Sequence, residues 1–319
     1  MRTFLALCFL TACTGGTANV DPESDTDTDT DTDADTDADT DTDTDPVPTA
    51  TPIRFIALGD AGEGNTDQYA VAAAIETVCA VEGCDFALYL GDNFYNSGVD
   101  GVDDPLWDEA FELPYANLTF PFYAVMGNHD YGGEGAGIEF WKGWWQVEYT
   151  QYSTKWTMPA TQYTVDYGPD LEIFGLDTTE VFWGFGQQQT TWLQNQISSS
   201  TATWKIGFGH HPYRSNGRHG NAGTYEGIPE WVPLTEIPRG EFVKDFMDTA
   251  VCGQLDLYLS GHDHNRQWVG EHCGTEFIVS GAGAKTTDLV GQGNSTLFET
   301  DASEGFLWVE IVGNTLTGR

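Results

Sequence analysis

Apolar positions along the chain fall into short continuous runs rather than long amphipathic ones. Ile53–Leu58, Phe86–Leu90, Phe122–Val125, Leu171–Leu176, Trp204–Phe208 and Leu255–Leu259 each read as a buried strand, and most end at a glycine followed by polar residues. Helical spacing lies between them, at Gln68–Ala80, Pro105–Glu112, Gln187–Ser198 and Glu241–Thr249. Strand and helix alternate in the first half, which predicts parallel βαβ units whose ligands gather beyond the carboxyl ends of the strands. The later segments Gln162–Tyr167, Gln267–Gly270, Phe277–Ser280 and Phe306–Ile311 read as hairpin strands of a second, mixed sheet packed on the first. The fold class is α/β, with no domain boundary after residue 51.

The first 50 residues follow different rules. Met1-Arg2, an apolar run from Thr3 to Leu10, and Leu10-Thr11-Ala12-Cys13 resemble a bacterial lipoprotein signal over residues 1–20, with Cys13 as the lipidation site. The run is too short to span a bilayer. An ordinary secretory peptide cut near Ala18 is the alternative. Residues 21–50 are dominated by alternating Asp and Thr from Asp25 to Asp45, a self-repelling, disordered tether with a reach of roughly 70 Å. The remainder, 51–319, holds the catalytic chemistry.

The net charge of −38 over 319 residues repels nucleic acid and anionic membranes, so membrane contact is expected only through the lipid. Localisation follows from the signal: a bacterial outer membrane or cell surface, to which Thr14 after Cys13 conforms, with periplasmic or secreted as alternatives. Of the 6 cysteines, Cys8 and Cys13 belong to the signal. The other four suit export. A hairpin through Gly261–His264 would bring Cys252 to Cys273, leaving Cys79 with Cys84, although free thiols or another connectivity stay open.

Chemistry concentrates in five motifs: Gly59-Asp60, Gly91-Asp92-Asn93-Phe94-Tyr95, Gly127-Asn128-His129-Asp130, Gly209-His210-His211-Pro212 and Gly261-His262-Asp263-His264. Five of the 7 histidines lie in them. Oxygen and imidazole donors in this density read as a two-metal hydrolase site, able to clamp a phosphoryl group between cations. Phe140–Trp156, rich in Trp and Tyr, reads as packing or as a binding platform.

In this order and spacing the motifs resemble the calcineurin-like metallophosphoesterases, and within them the purple acid phosphatases of the small, tartrate-resistant type, from about residue 53 onward. Asp60-Ala61-Gly62 lacks the Asp-x-His of many relatives, while Tyr95 follows Asp92 by three, as in that branch. The resemblance implies a four-layer αββα sandwich with two mixed sheets flanked by helices. It implies Fe(III) held by Asp60, Tyr95 and His264, a divalent ion (Zn, Fe or Mn) held by Asn128, His210 and His262, and Asp92 bridging both. His129 and His219 match catalytic histidines facing substrate, and His211 a pocket neighbour; His272 matches nothing. Arg214 and Arg218 could attract phosphate or pair with carboxylates. The implied activity is an acid phosphatase on small phosphomonoesters, working as a monomer through hydroxide generated at the metals. Phosphodiester or pyrophosphate cleavage, and a non-catalytic surface-binding lipoprotein, are the alternatives. One departure is that only Thr179–Gln189 separates Asp177 from the next helix, where the tartrate-resistant type carries a long repressor loop.

Overall fold

The computed structural model describes residues 2–6, 51–225 and 240–319. Two seven-stranded sheets form the centre. The first runs in the order Thr3–Ala6, Thr315–Gly318, Leu307–Val312, Ile53–Leu58, Phe86–Tyr89, Phe122–Ala124 and Trp156–Thr157. The second runs Phe298–Thr300, Arg266–His272, Thr275–Ser280, Leu257–Ser260, Trp204–Phe208, Leu171–Gly175 and Tyr163–Asp166. Phe55, Leu58 and Trp308 of one sheet and Ile206, Phe208, Leu259 and Ile278 of the other share a single apolar core, so the sheets pack face to face. Val71, Ala72 and Ile75 of helix Thr66–Glu82 extend that core. On the second sheet, Val181, Leu193, Ile197, Val243 and Phe246 from helices Thr178–Phe182, Gln187–Ser199 and Gly240–Phe246 close over Phe174, Tyr258 and Phe277. This is the four-layer αββα sandwich.

The continuous apolar runs follow from that layering. Phe86–Tyr89 and Leu257–Ser260 are buried at every position because each is covered on both faces. Helix Thr66–Glu82 starts at Asn65, whose side chain accepts the Gln68 N–H at 2.8 Å, and stops at Gly83. Ile53–Leu58, Phe86–Tyr89 and Phe122–Ala124 are parallel, with Leu58 opposite Tyr89 and Tyr89 opposite Ala124. Trp204–Phe208, Leu257–Ser260 and Thr275–Ser280 are parallel in the second sheet. Both sheets therefore send their carboxyl ends to one edge of the sandwich.

Two readings of the sequence need correction. Leu307–Val312 lies in the first sheet, antiparallel to Ile53–Leu58, while Leu171–Gly175, Trp204–Phe208 and Leu257–Ser260 belong to the second; an apolar run shows that a strand is buried but not which sheet receives it. The hairpin joins Arg266–His272 to Thr275–Ser280, and Leu257–Ser260 pairs in parallel with Thr275–Ser280. Cys252 and Cys273 meet all the same, because the turn after Arg266–His272 returns to the start of Leu257–Ser260; Cys79 bonds Cys84. In the full-length chain Thr3–Ala6 pairs in parallel with Thr315–Gly318, with the Phe4 ring edge-on to Trp204 at 5.4 Å; cleavage before Cys13 would remove this strand and leave Thr315–Gly318 at the sheet edge. A short uncharged segment fits the open backbone of an edge strand. Cys8, Cys13 and the Asp-Thr tract lie outside the described residues.

Reduction should separate the two disulfides by their loop lengths. The Cys252–Cys273 bond spans a sequence separation of 21 and Cys79–Cys84 one of 5. Chain-entropy scaling gives about 3 kcal/mol for the longer loop and about 2 kcal/mol for the shorter. Denaturant unfolding of Cys252→Ala/Cys273→Ala should show the larger drop in midpoint.

Candidate metal centre

Five strand ends build the site. The Ile53–Leu58 strand delivers Asp60, Phe86–Tyr89 delivers Asp92 and, one turn on, Tyr95; Phe122–Ala124 leads to Asn128. From the second sheet, Trp204–Phe208 leads to His210, and Leu257–Ser260 to His262 and His264. Backbone hydrogen bonds lock these loops across the sheets. Gly59 N–H donates to Ser280 O at 2.8 Å, Asp60 N–H to Gly91 O at 3.0 Å, and Gly261 N–H to His210 O at 3.0 Å. Ser280 Oγ donates to Ala57 O at 2.8 Å.

The loops are tight enough to need unusual backbone. Asp60, Asp92 and His262 sit at φ 57°, 52° and 70°, the left-handed region that residues with a Cβ avoid. Three of five non-glycine residues in that region among those described are thus predicted ligands. Gly91 is required for a second reason: a Cβ there would stand 2.8 Å from both Gly127 N and His210 Nδ1.

All seven predicted ligands converge, and they do so as two clusters of donor atoms. In one, the Tyr95 hydroxyl lies 3.1 Å from Asp60 Oδ1, 2.9 Å from Asp92 Oδ2 and 3.4 Å from His264 Nε2, and His264 Nε2 lies 3.4 Å from Asp60 Oδ1. In the other, His210 Nε2 lies 3.4 Å from Asp92 Oδ1, 3.0 Å from Asn128 Oδ1 and 3.1 Å from His262 Nδ1. Neighbouring ligands on one cation with bonds near 2.1 Å sit about 3 Å apart. The donor sets therefore fit two metal ions, with Asp92 giving one oxygen to each.

Orientation supports the same conclusion. His210 Nδ1 donates to Leu90 O at 2.9 Å, and Asn128 Nδ2 donates to Gly135 O at 2.8 Å, so His210 Nε2 and Asn128 Oδ1 turn their lone pairs toward one point. The Asp60 Oδ2 oxygen accepts the His262 N–H at 2.8 Å, freeing Oδ1 for the first cluster. Asp60 and Asp92 are almost wholly buried, a costly state for two carboxylates without cations.

Without metal, protons take the cations' places. Burial alone would push His210 down, yet the Asp92 carboxylate beside it raises it to about 9. Burial likewise opposes ionisation of Asp92, and the His210 charge outweighs it and holds the carboxyl well below the usual range. Burial, reinforced by Asp60 and Asp92, pushes the Tyr95 phenol up. His262 is held neutral by burial and by the neighbouring His219.

The two histidines expected to face substrate flank the clusters. His129 packs its ring against Tyr95 at 4.5 Å between centroids, with Nδ1 at 2.7 Å from Asn96 O. Asn96 O therefore fixes its tautomer. Asp130 braces the loops, accepting N–H groups from Asn93, Phe94, Gly127 and Gln146 at 2.7–3.2 Å. His219 stacks on His262 at 4.0 Å, and its backbone N–H donates to Asp263 Oδ1 at 2.9 Å.

Other predictions divide. His211 is buried against Phe182 and His262, with Thr178 Oγ1 3.0 Å from its Nδ1, a neighbour of the ligands as expected. His272 contacts Arg214 at the surface, and Arg218 pairs with the exposed Asp288 at 2.9 Å. Of the aromatic stretch, Trp156 is core, whereas Trp141 and Trp144 are 59% and 73% exposed. Sequence reasoning missed Lys285, whose ammonium lies over the Tyr95 ring; a single lysine in a glycine-rich loop carries no pattern.

Comparison with known proteins agrees with this geometry. Residues 53–266 match the family of calcineurin-like phosphoesterases. The chain is 28% identical to purple acid phosphatase 7 of Arabidopsis thaliana over 83% of its own length and 84% of the relative's. It is also 28% identical to tartrate-resistant acid phosphatase type 5 of Sus scrofa, covering 73% of this chain and 70% of that one. Among solved structures, GAP50, described as the anchor in the inner membrane complex of Plasmodium, superposes with a TM-score of 0.64 at 23% identity, covering 84% of each chain. That likeness shows the fold alone, since one fold hosts many functions. The acid phosphatase relatives imply a dinuclear metal centre, which the two donor clusters fit. The chain is a phosphoester hydrolase and belongs to the calcineurin-like phosphoesterase family.

Proposed function

We propose that the protein is an acid phosphatase for small phosphomonoesters, held outside the cytoplasm by a lipid on Cys13, with Fe(III) and a divalent ion (Zn, Fe or Mn) in its site. The observation that carries this reading is the placement of Asp92, with Oδ2 beside the phenol of Tyr95 and Oδ1 beside His210. The Tyr95 cluster offers a phenolate and two carboxylates, hard anionic donors suited to a trivalent ion; the His210 cluster adds a neutral amide and two imidazoles, suited to a divalent one. When bound, the ions supply a nucleophilic hydroxide near neutral pH and neutralise the phosphoryl oxygens.

The chain's own residues do the rest. Asp92, with one oxygen in each cluster, would hold both ions, and the Leu90, Gly135 and His262 backbone groups aim its neighbours. His129 and His219, on opposite flanks, are placed to hold the phosphate and to give a proton to the departing alkoxide. His129 Nδ1 is committed to Asn96 O, so Nε2 is the atom available for transfer. Helix Thr178–Phe182 begins directly after Asp177 and only four residues separate it from Gln187–Ser199, which supports activity without proteolytic removal of a covering loop.

Three outcomes are expected. Hydrolysis of p-nitrophenyl phosphate at acidic pH should fall to background in Asp92→Asn and His264→Ala, while His219→Ala should lose about 100-fold in kcat, scaled to a general acid; full activity in all three would sink the catalytic reading. The uncut full-length chain should be as active as a nicked one in the same assay. Metal loading of the stripped protein at pH 8 should release about two protons, one from the His210 site and one from Tyr95, measured by calorimetry in buffers of different ionisation enthalpy. Because His210 sits raised to about 9 and the Tyr95 phenol is pushed higher still, apparent affinity should climb with pH more steeply below about 9, where both protons compete with metal, than above it, where only the Tyr95 proton does. Tyr95→Phe should release about one proton instead of two.

A further inference from the structure

Lys285 lies on the loop that follows strand Thr275–Ser280, outside every motif so far assigned a role. Its Nζ stands 3.2 Å from the centroid of the Tyr95 ring and 2.6 Å from Glu63 Oε1. Both Lys285 and Glu63 side chains are largely withdrawn from solvent, at 30% and 27% exposure. The lysine is not free to wander, because the loop is tied on both sides to the metal-bearing loops. Gly283 N–H donates to Gly59 O at 3.0 Å, Asn65 Nδ2 donates to Ala284 O at 3.0 Å, and Thr287 N–H donates to His264 O at 2.8 Å. Glu63 itself sits three residues beyond Asp60, so the ion pair joins the loop of one ligand to the ring of another.

An exposed ion pair between loops contributes little to stability. A cation over the face of an aromatic ring, by contrast, acts on the ring's electrons, and more strongly in a partly desolvated place. The Tyr95 hydroxyl lies at the ring's edge among Asp60, Asp92 and His264, so an ion held in that cluster would lie beyond the hydroxyl, farther from an ammonium over the ring face than the ring itself.

We propose that Lys285 is an electrostatic positioning residue for the Tyr95 ligand, its ammonium stabilising the phenolate and setting the energy at which Tyr95 donates charge to the iron. The proposal rests on the reading of Tyr95 as an iron ligand. Charge transfer moves an electron off the ring, away from the ammonium, so the cation raises the transition energy. Glu63 tempers the effect by partly neutralising it.

The test is the visible absorption maximum of iron-loaded protein, read per bound iron so that incomplete loading does not move it. Lys285→Met should shift the band to longer wavelength, on the order of 30 nm for a unit charge at this separation and an effective dielectric of about 20. Lys285→Arg, which keeps the charge, should stay close to the wild type. Glu63→Gln should shift the band the opposite way, to shorter wavelength. A Lys285→Met band that stays in place or moves to shorter wavelength overturns the proposal, as does a shift of Lys285→Met and Glu63→Gln in the same direction, which would report a displaced loop rather than a removed charge. A wild type that binds iron and stays colourless overturns the Tyr95 ligand assignment itself, and the proposal with it; a coloured wild type with an unmoved Lys285→Met band overturns the proposal alone.

Discussion

Two carboxylates buried within a few ångströms of each other organise this molecule. Asp60 and Asp92 both reach toward the Tyr95 hydroxyl, and neither is exposed to water. Like charges so placed are tolerable only with cations between them, or with protons standing in. The structure provides for both states. His210 stands between Asp92, Asn128 and His262 at 3.0–3.4 Å, and the Tyr95 phenol lies between Asp60, Asp92 and His264 at 2.9–3.4 Å.

That electrostatic demand explains the rigidity around it. Asp60, Asp92 and His262 adopt left-handed backbone, which costs free energy and persists only where the surroundings enforce it. Enforcement comes from the loops' mutual hydrogen bonds and from Asp130, whose carboxylate collects four N–H donors from the Asp92 and Asn128 loops and from Gln146. Gln146 belongs to helix Gly143–Tyr149, so the exposed aromatic surface of Trp141 and Trp144 is continuous in sequence with a residue that steadies the site. Behind the loops, strands buried on both faces give the anchor points almost no freedom to move.

The face-to-face sheets have a functional consequence. The Tyr95-containing cluster draws Asp60, Asp92 and Tyr95 from the first sheet and His264 from the second; the other cluster draws Asp92 and Asn128 from the first and His210 and His262 from the second. Neither donor cluster can form on one sheet alone. The Asp92 carboxylate lies at the seam, where the carboxyl ends of both sets of parallel strands meet, and the two flanking histidines come from opposite sides of it.

The sequence by itself pointed to the residues that converge in the two clusters. Five motifs whose order and spacing resemble one metallophosphoesterase branch implied which Asp, Asn, Tyr and His side chains are ligands, and the apolar runs announced buried strands, because both signals can be read along the chain. Tertiary structure alone decided which sheet received Leu307–Val312, why Cys252 meets Cys273, and that Asn96 holds His129. It also placed Lys285 over Tyr95, a contact across 190 positions of sequence, visible only once two sheets had brought unrelated loops to one edge. Pairing, register and cross-loop charge depend on which surfaces meet, and no local pattern of residues encodes that choice.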